Sequence, residues 1–172
     1  MRQLLDRVFN AVGYLAGIFM VGTLLAVLTS ILGRLIPAFD LPGADAYAGY
    51  CMACSSFLAL APTLRRGEHI RVTLLLNQLP AGPRRMLDIL CHVVAVGISG
   101  ALAWYAIRLV VQSREFFDIS TGLDATPLWI PQLGMALGTT LLAAAFVGDL
   151  ILLLRGEALR DASADNELIR VE

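Results

Sequence analysis

The sequence predicts an all-α integral membrane protein: four transmembrane helices, with a short amphipathic interfacial helix in the loop between the second and third. Three observations carry this. Hydrophobic residues make up 58% of the 172 residues and mean hydropathy is +0.73, more than the core of a soluble domain requires. Val8–Gly33, Ala46–Leu64, Ile89–Ile107 and Ala125–Gly148 contain no charged residue, and roughly 20 residues at about 1.5 Å each cross the hydrocarbon core. The segments between them carry helix breakers and most of the charge.

The first span is expected at about 8–34. Its apolar run continues past the length of a signal-peptide core and shows no small-residue cleavage site, so it reads as a retained helix. Pro37, Pro42 and Gly43 break the chain before a second span at about 46–64. Val72, Leu75, Leu76 and Leu79 then fall at i, i+3, i+4 and i+7. That is one apolar helix face, expected at about 70–79, closed by Pro80 and Gly82. With Arg71, Arg84 and Arg85 flanking it, the segment is expected along the membrane surface. A third span at about 87–111 leads into an acidic connection, Gln112–Asp124, and a fourth span at about 126–154. The transmembrane domain thus covers 1–155, and 156–172 form a polar cytoplasmic tail. Gly13, Gly17, Gly22 and Ala26 in the first span, and Gly134, Gly138 and Ala144 in the last, are small residues that let helices approach closely in lipid.

The arginines set an expected orientation. All thirteen basic residues are arginine. Arg2, Arg7, Arg65, Arg66, Arg71, Arg84, Arg85, Arg155, Arg160 and Arg170 fall on the side of the termini and central loop, and only Arg34, Arg108 and Arg114 on the other. This asymmetry predicts cytoplasmic termini. Asp40, Asp45, Glu115, Asp118 and Asp124 then face outward, where Asp40, Asp45, Arg114, Glu115 and Asp118 are possible contacts for a partner protein.

Composition narrows the chemistry. A net charge of −1 offers no basic field for nucleic acid, and no nucleotide motif or catalytic constellation is present. An ion or charged-substrate pathway uses ionisable residues in mid-membrane, but the deepest carboxylate, Asp149, lies near the inner interface and is expected to pair with an interfacial arginine. Arg34 and Arg108 sit toward the outer ends of their helices, within snorkelling reach of water. His69 and His92 occupy different settings and do not form a haem pair. No cofactor and no metal are expected.

Three clusters stand out. Cys51-Met-Ala-Cys54 has the spacing of a thiol–disulfide pair, which would suit a quinone-linked membrane oxidoreductase. Such a relay needs a second outward pair, whereas Cys91 is expected at the inner end of the third span. The competing reading is two small apolar side chains in a packed helix. Arg65-Arg66-Gly67-Glu68-His69-Ile70-Arg71-Val72 is the densest polar run. It serves as a topology signal, but Glu68 and His69 add hydrogen-bonding groups that a topology signal does not need. Arg65, Arg66, Glu68, His69 and Arg71 are therefore candidates for docking a partner or fixing the loop. Pro127-Leu128-Trp129-Ile130-Pro131 opens the last span, with Pro in a first turn and Trp129 as an interfacial anchor.

The Arg65–Val72 run after a second span resembles the small membrane subunit of tripartite ATP-independent periplasmic (TRAP) transporters. So do the Pro127-Leu-Trp129-Ile-Pro131 start followed by Gly134 and Gly138, the four-span plan and the chain length. The likeness covers roughly Leu5 to Leu154; Thr73 departs from it, at a position where an acidic residue is expected. The resemblance implies a large membrane permease subunit that holds the substrate and sodium sites. It also implies a periplasmic substrate-binding protein delivering an organic anion, commonly a carboxylate, and uptake driven by an ion gradient. The small subunit would be a fixed scaffold in the bacterial inner membrane, contacting its partners and membrane lipids. A stand-alone small exporter is the remaining alternative.

Overall fold

A computed structural model describes residues 2–36, 41–65, 81–122 and 124–155. The segment expected as an interfacial helix at 70–79 and the tail 156–172 lie outside these residues. The described chain forms four α-helices: α1 Arg2–Leu35, α2 Ala44–Arg65, α3 Ala81–Glu115 and α4 Trp129–Leu154. Among the described residues the only β pairing is an isolated antiparallel bridge between Ile119 and Pro127.

Among the described residues, three helices are long and apolar enough to cross a membrane: α1 from Arg7, α3 from Arg85, and α4. At 22 residues α2 has spanning length, about 33 Å at 1.5 Å per residue, but it lacks a stretch as apolar as those of the other three. Tyr47, Tyr50, Ser55, Ser56, Pro62 and Thr63 dilute its apolar content. Two of these hydroxyls return to the helix's own carbonyls, Ser56 to Met52 at 2.8 Å and Thr63 to Ala59 at 2.9 Å, which lets polar side chains sit in an apolar setting.

The helices pack in the order α1–α2–α4–α3. Phe9 meets Arg65, Gly13 faces Pro62, Gly22 faces Cys51 and Ser30 bonds Asp45, so α1 and α2 run antiparallel. Cys54 faces Gly134, Phe57 faces Gly138 and Arg65 passes Gly148, so α2 and α4 run parallel. His92 stacks edge-on against Phe146 while Arg114 covers Trp129, so α3 and α4 are antiparallel. One end of the row therefore gathers Arg34, Asp45, Arg114, Asp124 and Trp129. The other gathers Phe9, Arg65, His92 and Asp149.

Small residues make the seams. A Cβ on Gly138 would overlap the Phe57 carbonyl, and one on Gly134 would lie 2.5 Å from Cys54 Sγ. Backbone thus touches backbone where α2 crosses α4, the close approach that dispersion-driven association in lipid requires. Toward α4, α3 turns buried Ser99, Ala103, Ala106 and Ser113. Not every small residue is used this way: Gly17 meets nothing within 4 Å, and Ala144 is exposed. The α1–α2–α4 seam holds two apolar clusters, Ala16, Cys54 and Leu58 toward the Trp129 end and Phe9, Ala61, Leu64, Leu142 and Ala145 toward the other. Elsewhere the row is apolar outside: Tyr14, Ile18, Met20, Val21, Leu24 and Leu25 of α1 are all exposed, as suits lipid or another membrane protein.

Candidate partner-docking site

At the Arg65 end, the polar run that closes α2 begins against the core. Arg65 is half-buried with its guanidinium 4.8 Å from the centroid of the Phe9 ring, a cation–π contact. Its Nη2 would stand 4.0 Å from a Cβ on Gly148, beside Asp149. Asp149 is buried and already engaged by a neighbour. The Arg65 Nε is buried with no hydrogen-bond partner among the described residues, and a buried donor left unmade is costly. Arg66, Glu68, His69 and Arg71 lie outside the described residues, so of the basic run only Arg65 has a described position.

At the Trp129 end, two polar clusters tie the loops to the helix ends. In the first, Asp45 accepts from Ser30 Oγ at 2.5 Å and from Arg34 Nη2 at 3.4 Å. Both partners of this ion pair are largely exposed, so it contributes little by itself, though it staples α1 to the start of α2. In the second, the Asp124 carboxylate accepts from Ser120 Oγ at 2.8 Å and from Tyr50 OH at 3.1 Å. Thr126 Oγ1 and Tyr47 OH pair at 3.3 Å, and the Tyr47 and Tyr50 rings meet edge-on. The hydroxyl of Thr126 above all, then those of Ser120 and Tyr50, hold the Asp124 carboxyl down to about 2, because hydrogen bonds to the charged form favour it. Gly43 has φ +87°, and a Cβ there would come 2.8 Å from Asp124 Cβ; only glycine fits where the first loop passes under the second.

Backbone hydrogen bonds close the described part of the loop from α3 to α4. Leu128 N donates to Asp118 O at 3.0 Å and Ser120 N to Thr126 O at 2.8 Å. Phe117 and Ala125 adopt the left-handed region, at φ 53° and 45°, conformations that non-glycine residues hold only when their surroundings fix them. Phe116, Phe117 and Ile119 are exposed, so the loop displays an apolar tip beyond the helix ends.

Several residues singled out in the sequence come together here. Arg114 lies over the Trp129 ring at 5.8 Å, while Glu115 and Asp118 are exposed. Pro131 sits in the first turn of α4, and its carbonyl accepts from Cys54 Sγ at 3.5 Å. Asp40 lies outside the described residues. Cys51 and Cys54 are both free and meet different helices, Cys51 facing Gly22 of α1 and Cys54 facing Gly134 of α4. Among the described residues no three His, Cys, Asp or Glu side chains converge as metal ligands would.

The model of the family described as tripartite ATP-independent periplasmic transporters, DctQ component, matches residues 23–156. The chain belongs to the DctQ family. No match is found among curated proteins. The matched range takes in α2, both polar clusters, α3 and α4, whereas Phe9, which meets Arg65, precedes it. As a DctQ-family chain it is a membrane component of a tripartite TRAP transporter and works with other subunits of that complex. Sequence reasoning missed the Asp124 cluster and the Arg65–Phe9 contact. The chemistry was legible at Gly43 and in the loop hydroxyls, but not their pairing, since Tyr50 and Asp124 are 74 positions apart.

Proposed function

We propose that this DctQ-family chain is a fixed scaffold for a large membrane permease subunit. The permease takes up an organic anion, a carboxylate by preference, coupled to an ion gradient such as sodium. A periplasmic binding protein supplies the substrate. The family match carries this reading. In support of it, α1 exposes an apolar face along most of its length, surface of the kind a partner helix can cover.

In this reading α2 is a fourth span, sheltered between α1 and α4 despite its hydroxyls. The arginine asymmetry favours an inner-membrane chain with both termini and the Arg65 end in the cytoplasm. Arg65 fixes the start of the central loop, and its unmatched Nε invites an acceptor from that loop or from the partner. Arg66, Glu68, His69 and Arg71 dock the permease, since guanidinium groups can bind partner carboxylates or lipid phosphates bidentately. Asp40, Asp45, Arg114, Glu115 and Asp118 face the binding protein. Pro127, Trp129 and Pro131 anchor α4 at the outer interface.

The thiol oxidoreductase alternative is less well supported, because Cys51 and Cys54 pack against different neighbours. The experiment that tests the proposal is uptake in cells lacking only this chain. Accumulation of a labelled carboxylate substrate should collapse and return when the chain is supplied in trans. Unchanged uptake in the deletion strain would refute the proposal.

A further inference from the structure

Toward the Trp129 end, α3 borders an open groove of about 420 Å³. Its lining is mostly apolar, from Leu102, Tyr105, Ala106 and Leu109 of α3 with Met135 of α4. Arg108 and Gln112, one helical turn apart, supply its polar rim. Arg108 is exposed and makes no ion pair or hydrogen bond with any described residue. Its depth follows from the helix register. Arg114 over Trp129 marks the interface, and Arg108 lies six residues further in, about 9 Å. A guanidinium at that depth needs an anion or a path to water.

We propose that this groove is a binding site for one anionic glycerophospholipid. An acyl chain lies along Leu102, Ala106 and Leu109, and the phosphate is held by Arg108, with Gln112 donating a further hydrogen bond. Charge complementarity selects this occupant. The groove offers apolar surface at hydrocarbon depth and one cation, unpaired among the described residues and with a side chain long enough to reach the headgroup boundary, and a two-part amphiphile of opposite charge matches both. Guanidinium and phosphate form paired hydrogen bonds that an ammonium cannot reproduce. The site does not depend on the permease, so it stands or falls separately from the scaffold reading.

The full chain carries two tryptophans, and Trp104 is exposed one turn from Arg108. In a W129F chain Trp104 is the sole indole. This chain is reconstituted in phosphatidylcholine bilayers containing a fixed minor fraction of either brominated phosphatidylglycerol or brominated phosphatidylcholine. Bromine near the ring quenches its fluorescence. The anionic lipid should be enriched at Trp104 about fivefold over the zwitterionic one. That preference should vanish in R108Q and persist in part in R108K. Equal quenching by the two lipids, or a preference that survives R108Q, would overturn the proposal and leave the groove to a partner helix or bulk lipid.

Discussion

Gly138 of α4 lies against the backbone of Phe57 in α2 so closely that a Cβ at position 138 would overlap the Phe57 carbonyl. The neighbour is main chain, so no side-chain rotation can relieve it. The parallel α2–α4 pair at the centre of the row depends on that contact and on Gly134 beside Cys54.

G138A should therefore destabilise the folded chain by about 1–3 kcal/mol, the usual cost of overpacking a tight contact. G17A, where nothing lies within 4 Å of the added carbon, should be neutral or slightly stabilising, because alanine is the better helix former. Thermal unfolding of the purified chain in detergent distinguishes them. Equal midpoints would mean that α2 and α4 do not pack as described.

The Asp124 cluster predicts a pH dependence confined to the α3–α4 loop. Its carboxyl is held at about 2, below the ordinary 3.8. The folded form thus favours the carboxylate, and the contribution is complete above pH 3.8 and lost as pH falls toward 2. Hydrogen exchange of residues 116–128 should stay slow down to about pH 4 in the wild type after correction for intrinsic rates, then rise. D124A should exchange fast throughout. A wild-type loop indifferent to pH across that window would contradict the cluster.

C51A/C54A should leave uptake near the wild-type level, because each thiol fills space against a different helix. C54L should fail, since a larger side chain there would collide with α4 at Gly134. Loss of transport in C51A/C54A at normal membrane abundance would revive a redox role for the pair.

The helices were legible because apolar runs of spanning length admit few other structures. Their ends were less so. Expected at 87–111, the third span belongs to a helix that runs from Ala81 to Glu115. Hydropathy marks only the part in hydrocarbon, while Arg84, Arg85 and Arg114 continue the helix as good or tolerable helix formers. The last helix begins at Trp129 rather than 126, because Thr126 and Pro127 are used in the loop, in a hydrogen bond to Tyr47 and a bridge to Ile119. Gly134 and Gly138 were recognisable as small residues, but their sequence alone did not separate them from Gly17, which touches nothing. Long-range polar pairing was invisible for the same reason: Asp124 finds Tyr50 only once α2 and α4 lie side by side.

The proposed orientation predicts that single cysteines at Phe117 and Asp118 react with an impermeant thiol reagent in intact cells, in a chain otherwise free of cysteine. A cysteine at Arg155 or Arg160 should react only after the membrane is opened. The reverse pattern would place the termini outside.

Affinity purification of the tagged chain from cells expressing the whole transporter bears most directly on the scaffold reading. The large membrane subunit should co-purify in a fixed ratio with the wild-type chain in mild detergent, and recovery should fall sharply for R66A/H69A although that chain still inserts. A wild-type chain that elutes without the large subunit, under conditions where both are extracted intact, would contradict it.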